Sequence, residues 1–134
     1  MRPLVVITHR VHADAIELLS SVCDILPVAT HGGYARQEFM QLAREAHALM
    51  AVMPERIDES VLDNCTRLRV VACTFRIPEH IDVGACTRRG IWVTNVMTRW
   101  LGKEAEIEAA RNILDVLGGD TPRGALNEVL QPAA

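Results

Sequence analysis

The sequence, 134 residues long, predicts one α/β domain built around a parallel sheet. Two observations support this prediction. Short apolar, β-branched runs recur along the chain, as expected for strands that are buried on both faces. The segments between these runs place apolar residues at helical spacing, with charged residues on the opposite side. Strands that alternate with helices in this way form a parallel sheet covered by helices on both faces.

Five strands follow from the apolar runs, and they cover residues 4–8, 25–28, 48–52, 70–73 and 91–93. Pro27 lies within the second run and has no N–H group to donate, so this strand is expected at an edge of the sheet. An edge position for the second strand fits the strand order 2-1-3-4-5. The predicted fold is therefore a flavodoxin-like three-layer sandwich with a five-stranded parallel sheet.

Helices are predicted over residues 13–22, 35–46 and 103–117, with two shorter helices that begin near Asp58 and Asp82. These aspartates are suitable N-caps, because a carboxylate can accept the free N–H groups of a first turn. The last helix starts with three glutamates, which are Glu104, Glu106 and Glu108. They are expected to be a solvated helix start, where the helix dipole favours anions. The tail over 120–134 shows no clear period.

Composition argues against several classes of protein. A net charge of -3 disfavours a nucleic-acid partner, which usually requires a strongly basic face. No apolar run approaches the roughly 18 residues of a membrane-spanning helix, and the first residues lack a signal-peptide pattern. The four cysteines are at positions 23, 65, 73 and 86 and match no zinc or redox spacing. Buried free thiols in a reducing, cytoplasmic compartment are therefore expected, with no membrane partner.

Basic side chains follow three of the predicted strands. Arg10 and His9 come after the first strand, Arg56 after the third and Arg76 after the fourth. In this topology the carboxyl ends of the strands share one edge, which is where open α/β sheets bind ligands. Guanidinium groups suit carboxylate or phosphorus oxyanions, so one interpretation is a small-anion site. The alternative is that these arginines are ordinary solvated loop residues.

Other sites are disfavoured by what the sequence lacks. It has no G-x-G-x-x-G fingerprint. The first strand ends in Thr-His-Arg and the third in Met-Pro, without the carboxylates that a metal-binding receiver domain requires at those ends. His9 and His12 lack further metal ligands nearby and are expected to be surface or capping residues, so no metal site is predicted. His80 and Asp82 could form an acid–base pair, although Asp82 is better explained as the start of a helix.

Several stretches share a recognisable pattern. They are LVVITHRVH at 4–12, MAVMPER at 50–56, LRVVAC at 68–73, IDVGACTRRGIWVT at 81–94, ARNIL at 110–114 and PRGALN at 122–127. In these stretches, which are distributed along nearly the whole length of the chain, the sequence resembles the substrate-binding (catalytic) domain of D-isomer-specific 2-hydroxyacid dehydrogenases. Within that family it is most similar to the phosphite (phosphonate) dehydrogenases.

The resemblance implies a departure in domain organisation. The family inserts an NAD-binding Rossmann domain between the fifth strand and the final helix, together with the catalytic histidine, glutamate and arginine. Here residues 1–96 are followed by a linker over 97–102 and then by 103–134, so that 1–134 form one substrate-binding domain. The resemblance therefore implies no catalytic residue and no cofactor in this chain, although the full-length family uses NAD. We expect the chain to be catalytically silent alone.

The resemblance also implies a partial substrate site. Met53 and Phe75 match pocket positions, and Arg76 stands where phosphite dehydrogenases have a substrate-binding lysine. Ile77 departs from the family's glycine at that point, and a branched side chain should hinder the approach of an oxyanion to the backbone. Arg10 and Arg56 remain possible further anion ligands.

Three functions are compatible with the sequence. The chain could be a silent lobe of a phosphite or 2-hydroxyacid dehydrogenase, or a stand-alone module that binds a small oxyanion. It could also be an interaction protein that forms a homodimer through apolar surface left by a missing domain, with Trp100 and Leu101 as candidate contacts.

Overall fold

A computed structural model describes residues 2–26, 33–52 and 55–132. Within them the strands are β1 (Leu4–Ile7), β2 (Asp24–Leu26), β3 (Ala48–Ala51), β4 (Val70–Cys73) and β5 (Trp92–Thr94). The helices are α1 (Ala13–Ser20), α2 (Arg36–Ala43), α3 (Glu59–Asn64), α4 (Val83–Arg88) and α5 (Lys103–Leu117). The sheet is parallel throughout, in the order β2-β1-β3-β4-β5. The predicted fold class and strand order are confirmed.

Helices cover both faces of the sheet because side chains alternate along each strand. In β1, Val6 points towards α2, α3 and α4, while Val5 and Ile7 point towards α1 and α5. Two apolar clusters result, one on each face, and every residue of β3 and β4 is buried. This burial on both sides explains why the strands read as continuous apolar runs.

Element boundaries differ from the sequence prediction by a few residues. The helix predicted over 13–22 ends at Ser20, the helix predicted over 35–46 covers Arg36–Ala43, and β5 lies one residue later than expected. β2 is at an edge, as predicted, although Pro27 lies outside the described residues. The predicted caps are confirmed: Asp58 accepts from Val61 N and Asp82 from Ala85 N.

The tail has a defined role that its composition does not suggest. It runs along the outer edge of β5, where Leu126 N donates to Val93 O at 2.8 Å and Asn95 N donates to Gly124 O at 3.0 Å. The Asn127 side chain accepts from Val93 N at 2.9 Å. These bonds occupy backbone groups that an edge strand otherwise leaves open.

A buried amide on α5 fixes the same tail. Asn112 has no solvent exposure, and its Nδ2 donates to Asn95 O at 3.0 Å while its Oδ1 accepts from Gly124 N at 2.9 Å. A Cβ atom on Gly124 would lie only 2.5 Å from Asn95 O. Glycine is therefore required by close approach of the backbone and not by an unusual φ angle.

All four cysteines are free, as predicted. Burial raises the pKa of the Cys65 thiol to about 11 and that of Cys86 to about 12, with Asp82 adding to the effect at Cys86. Thiols held in the protonated form are poor nucleophiles, so these two have a packing role. Among the described residues, no helix is long and apolar enough to cross a membrane.

Candidate functional site

The carboxyl ends of the strands meet at one edge of the sheet, and a cavity of about 330 Å³ lies there beside β4 and β5. Its walls come from the loop after β4 and from the linker after β5. They are formed by Phe75, Arg76, Ile77, Glu79, Val96, Thr98, Arg99 and Leu101. We refer to this space as the linker cavity. Three of the four residues predicted to form a substrate site, Phe75, Arg76 and Ile77, line it together.

The backbone around the linker cavity is held by hydrogen bonds between its two walls. Asn95 Nδ2 donates to Arg76 O at 2.8 Å, and Val96 N donates to Phe75 O at 3.3 Å. Within the part of the chain that the structure describes, the guanidinium groups of Arg76 and Arg99 make no hydrogen bond or ion pair. Two cationic groups are thus available in one cavity on fixed backbone.

The linker over 97–102 is anchored to α5 by an acidic side chain. The Glu108 carboxylate accepts from Met97 N at 2.5 Å and from Thr98 N at 3.3 Å. Trp100 N in turn donates to Thr98 Oγ1 at 3.2 Å. The sequence prediction of a purely solvated helix start is therefore wrong for Glu108. It is also wrong for Glu106, which accepts from His12 N at 2.6 Å.

Large apolar side chains are exposed around the same cavity. Ile77 is 67% exposed, Met97 67%, Trp100 70% and Leu101 72%. Side chains of this kind are usually more covered in a folded domain. The surface formed by these residues is therefore a candidate for contact with a ligand or a protein.

A second cavity, of about 250 Å³, contains Arg56 and adjoins the first through Glu79. His80 lies in its wall and is 8% exposed. The His80 Nε2 atom is 3.1 Å from Ala51 O, so Nε2 carries the proton, while Nδ1 has no partner in the described chain. Burial lowers the pKa of His80. The ring is therefore a neutral structural group.

The alternative acid–base pair of His80 with Asp82 does not form. The Asp82 carboxylate instead accepts from Ala85 N at 3.0 Å and begins α4. His12 likewise caps α1, because its Nδ1 accepts from Asp14 N at 3.0 Å. The capping interpretation of His12 is confirmed.

The structure does not gather all of the predicted cationic residues into one site. Arg76 lines the linker cavity, Arg56 lines the neighbouring one, and Arg10 is an exposed residue that lines neither. Met53 lies outside the described residues. Among the described residues, no group of three histidine, cysteine or acidic side chains could hold a metal ion.

Arg99 lines the linker cavity but is not among the candidate site residues predicted from the sequence. Its position in the linker over 97–102 predicts only a connection between elements. A signal was available, since the residues after β5 leave the same edge of the sheet as those after β4. A basic residue shortly after a strand could have been counted with Arg10, Arg56 and Arg76.

The fold and the cavity define a class of protein: an α/β domain that offers an anion-compatible cavity beyond the carboxyl ends of a parallel sheet. The model for the catalytic domain of D-isomer specific 2-hydroxyacid dehydrogenases matches residues 5–127. The chain belongs to this family.

Curated relatives and solved structures agree with this assignment. The chain is 37% identical over 95 residues to a glyoxylate reductase of Thermococcus kodakarensis, a match covering 71% of this chain and 28% of that protein. It is 38% identical over 94 residues to a glyoxylate reductase of Aeropyrum pernix, covering 70% and 28% respectively. The chain thus spans less than a third of the length of these relatives.

A crystal structure of a Pyrococcus horikoshii protein superposes with a TM-score of 0.65 at 27% identity, covering 72% of this chain and 28% of that one. The 2-hydroxyacid dehydrogenase of Ketogulonicigenium vulgare superposes with a TM-score of 0.59 over 73% of this chain and 30% of its own. Its identity is 17%, so this second likeness concerns the fold alone.

Proposed function

We propose that the chain is a substrate-binding lobe of the 2-hydroxyacid dehydrogenase type, which binds a small oxyanion and performs no hydride transfer by itself. The linker is the observation that supports this proposal. Residues 95–102, which include the linker over 97–102, connect β5 to α5, and Glu108 bonds to the backbone of Met97 and Thr98. By resemblance, this is the point where the family inserts its NAD-binding domain.

Catalytic silence follows from what that insertion supplies. By resemblance, the catalytic histidine, glutamate and arginine and the NAD-binding glycines belong to the inserted segment. Hydride transfer requires a nicotinamide ring held against the substrate. The lobe proposed here keeps only the half of the site around Arg76.

Activity measurements on the purified chain test this part of the proposal. We expect no oxidation of NADH with glyoxylate and no reduction of NAD with phosphite. A complete relative, such as a glyoxylate reductase, serves as the positive control for the first assay. Steady turnover by the chain that scales with its concentration would contradict catalytic silence.

The retained function is binding of a small oxyanion at Arg76. The resemblance to phosphite dehydrogenases suggests phosphite, whereas the glyoxylate reductases among the relatives suggest a 2-oxo carboxylate. Both ligands suit a guanidinium fork. Ile77, which is 67% exposed, stands beside Arg76 and narrows the approach to the backbone at that point.

Titration of the labelled chain with phosphite, phosphate or glyoxylate tests the binding function. We expect NMR shift changes at Phe75, Arg76 and Ile77, and weaker binding by Arg76→Gln. Arg44→Gln is a matched control, because Arg44 is also exposed but lies between α2 and β3, near the amino-terminal ends of the strands and away from the cavity. Binding that is unchanged in Arg76→Gln would contradict a site at this residue.

A second candidate function is formation of a homodimer. The exposed apolar side chains of Ile77, Met97, Trp100 and Leu101 favour it, since burial of such surface stabilises association. Light scattering over a range of concentrations tests this candidate, with Leu101→Lys as the disruptive variant. A strict monomer at every concentration would reject it.

A further inference from the structure

We propose that Arg99 and Arg76 together bind a monocarboxylate that carries a short apolar chain, so that the linker itself supplies part of the ligand site. This inference rests on the proposed anion-binding function and names the class of ligand. Arg99 belongs to the linker over 97–102, which replaces the family's inserted domain. The site would therefore be particular to this compact form of the lobe.

The two arginines differ from most others in the described chain. Ion pairs occupy Arg2, Arg36, Arg67, Arg88, Arg89 and Arg123. Arg76 and Arg99 lie in the wall of one cavity with no such partner among the described residues. Their guanidinium groups can therefore bind a ligand without first breaking an internal ion pair.

Both arginines are attached to ordered backbone. The carbonyl of Arg76 accepts from Asn95 Nδ2 at 2.8 Å. Arg99 lies between Thr98, whose N–H bonds to Glu108, and Trp100, whose N–H bonds to Thr98 Oγ1. Binding consequently requires ordering of the two side chains but little reorganisation of the loops that bear them.

Charge and apolar lining together indicate the ligand class. Two cations and one carboxylate, that of Glu79, line the linker cavity. The carboxylates of Glu104 and Glu108, which accept hydrogen bonds from Thr98 in the same wall, add negative charge behind it, so the cavity suits a ligand of single rather than multiple negative charge. The remaining walls include apolar groups, from Phe75, Ile77, Val96 and Leu101. A carboxylate bound by the arginines would place a short hydrocarbon chain against these side chains. A small polyanion would leave them uncovered.

The size of the cavity also suits a small acid. Its volume of about 330 Å³ lies near the lower end of the roughly 300–1,000 Å³ typical of ligand pockets. Each buried methylene should tighten binding by up to about fourfold, because it removes apolar surface from water. The exposed Ile77 and Leu101 would gain cover from such a chain.

Calorimetric titration with acetate, butyrate and hexanoate at constant ionic strength tests the proposal. We expect affinity to rise along this series, and hexanamide, which lacks the charge, to bind at least about tenfold more weakly than hexanoate. Hexanoate binding no tighter than acetate would overturn the assignment of an apolar chain.

Variants separate the role of Arg99 from that of Arg76. Arg99→Gln should weaken hexanoate binding by about tenfold, as expected for loss of a charged hydrogen-bond donor. Leu101→Ser should reduce the dependence of affinity on the length of the ligand's hydrocarbon chain. Arg44→Gln should leave the affinity for every ligand unchanged. The substituted side chains of Arg99, Leu101 and Arg44 are exposed, so these variants should fold.

The results can contradict this proposal without contradicting the function proposed above. Unchanged hexanoate affinity in Arg99→Gln would overturn the role of the linker. If Arg76→Gln still weakened glyoxylate or phosphite binding in that case, the general anion site would stand. Absence of binding for all of these anions would overturn both.

Discussion

Two surfaces next to β5 are built in opposite ways. Along its outer edge, the tail forms backbone hydrogen bonds with the strand, and the buried Asn112 bonds to Asn95 and Gly124. At its carboxyl end, the linker cavity leaves Arg76 and Arg99 without partners in the described chain and Leu101 exposed. At the outer edge the backbone groups and the Asn112 amide are paired within the chain, although the buried Thr94 hydroxyl has no partner among the described residues, whereas the cavity leaves two guanidinium groups available.

This difference predicts that substitutions at one surface affect stability and substitutions at the other affect ligand binding. Removal of a polar group at the paired surface leaves its buried partner without a hydrogen bond, which costs more free energy than the bond itself contributed. Removal of an unpaired cation from the cavity leaves no buried group without a hydrogen-bond partner. We therefore expect substitutions at the outer edge to change the free energy of unfolding and substitutions in the cavity to change ligand affinity.

The largest effect is expected for Asn112→Ala. This substitution leaves Asn95 O and Gly124 N without their buried partner, which should lower the free energy of unfolding by about 2–4 kcal/mol. Urea denaturation followed by circular dichroism measures the change. A loss below about 1 kcal/mol would mean that water or a local shift replaces the amide.

A somewhat smaller loss is expected for Gly124→Ala. The new Cβ would lie 2.5 Å from Asn95 O and 2.7 Å from Asn112 Nδ2, so the tail must move. Overpacking of this kind typically costs about 1–3 kcal/mol. Gly84→Ala is the matched control, since its Cβ would meet nothing closer than 3.5 Å within α4. That control should be neutral or stabilising, because alanine favours a helix over glycine.

The outer edge also shows how far the sequence could be interpreted. The parallel sheet could be predicted because β1, β3 and β4 are buried on both faces and therefore apolar throughout, and the strand order because Pro27 places the second strand at an edge. The pairing of the tail with β5 could not, because it depends on backbone groups and on Asn127, and neither produces a hydrophobic period. Such a segment is indistinguishable from a loop until its partner strand is placed.

The cavity was predictable in part for a related reason. Arg76 can be predicted because it follows an evident strand, and its loop must lie at the ligand-binding end of the sheet, whereas Phe75 is predicted only through the family resemblance. The role of Glu108 could not be predicted, because a carboxylate near a helix start has the same sequence pattern whether it faces water or a linker. Its hydrogen bonds to Met97 and Thr98 depend on how the linker folds back onto α5.

The linker provides an intermediate case in this comparison. Glu108→Ala removes the acceptor for two backbone N–H groups, and we expect a loss of about 1 kcal/mol, since water can solvate them. Hydrogen exchange at Met97 and Thr98 should accelerate. Glu108→Gln keeps an acceptor oxygen, so its stability and exchange rates should lie between those of the parent and those of Glu108→Ala. Unchanged exchange in the alanine variant would show that Glu108 does not hold the linker.

A pH dependence should arise from two buried or half-buried histidines. Burial lowers the pKa of His80 and of His47 below the usual value of 6.5, and Arg67 and Arg69 add to the effect at His47. The folded chain therefore binds fewer protons than the unfolded chain. The contribution of the two neutral histidines to the free energy of unfolding should be fully present above pH 6.5. It should decline as the pH falls from 6.5 through the lowered pKa values.

Two structural contacts explain why protonation is unfavourable at these positions. Leu4 N donates to His47 Nδ1 at 2.9 Å, a bond that a protonated Nδ1 cannot accept. A proton on His80 Nδ1 would find no acceptor in the described chain. Urea midpoints measured between pH 5 and pH 8 test the effect, and His80→Gln should flatten the dependence. A midpoint that rises as the pH falls through this range would contradict the assignment.

The smallest change in stability is expected for the cavity arginines themselves. Arg76→Gln and Arg99→Gln break no side-chain hydrogen bond or ion pair in the described chain, so each should leave the free energy of unfolding within about 0.5 kcal/mol of the parent. Arg89→Gln is the matched opposite, because Arg89 donates to Ala85 O at 3.0 Å and Asp63 Oδ1 at 2.6 Å. Its urea midpoint should fall measurably, with anion affinity unchanged. If Arg76→Gln or Arg99→Gln destabilised the fold as much as Arg89→Gln, these arginines would have a structural role. That result would contradict the claim that the outer edge of β5 governs stability and the cavity governs ligand affinity.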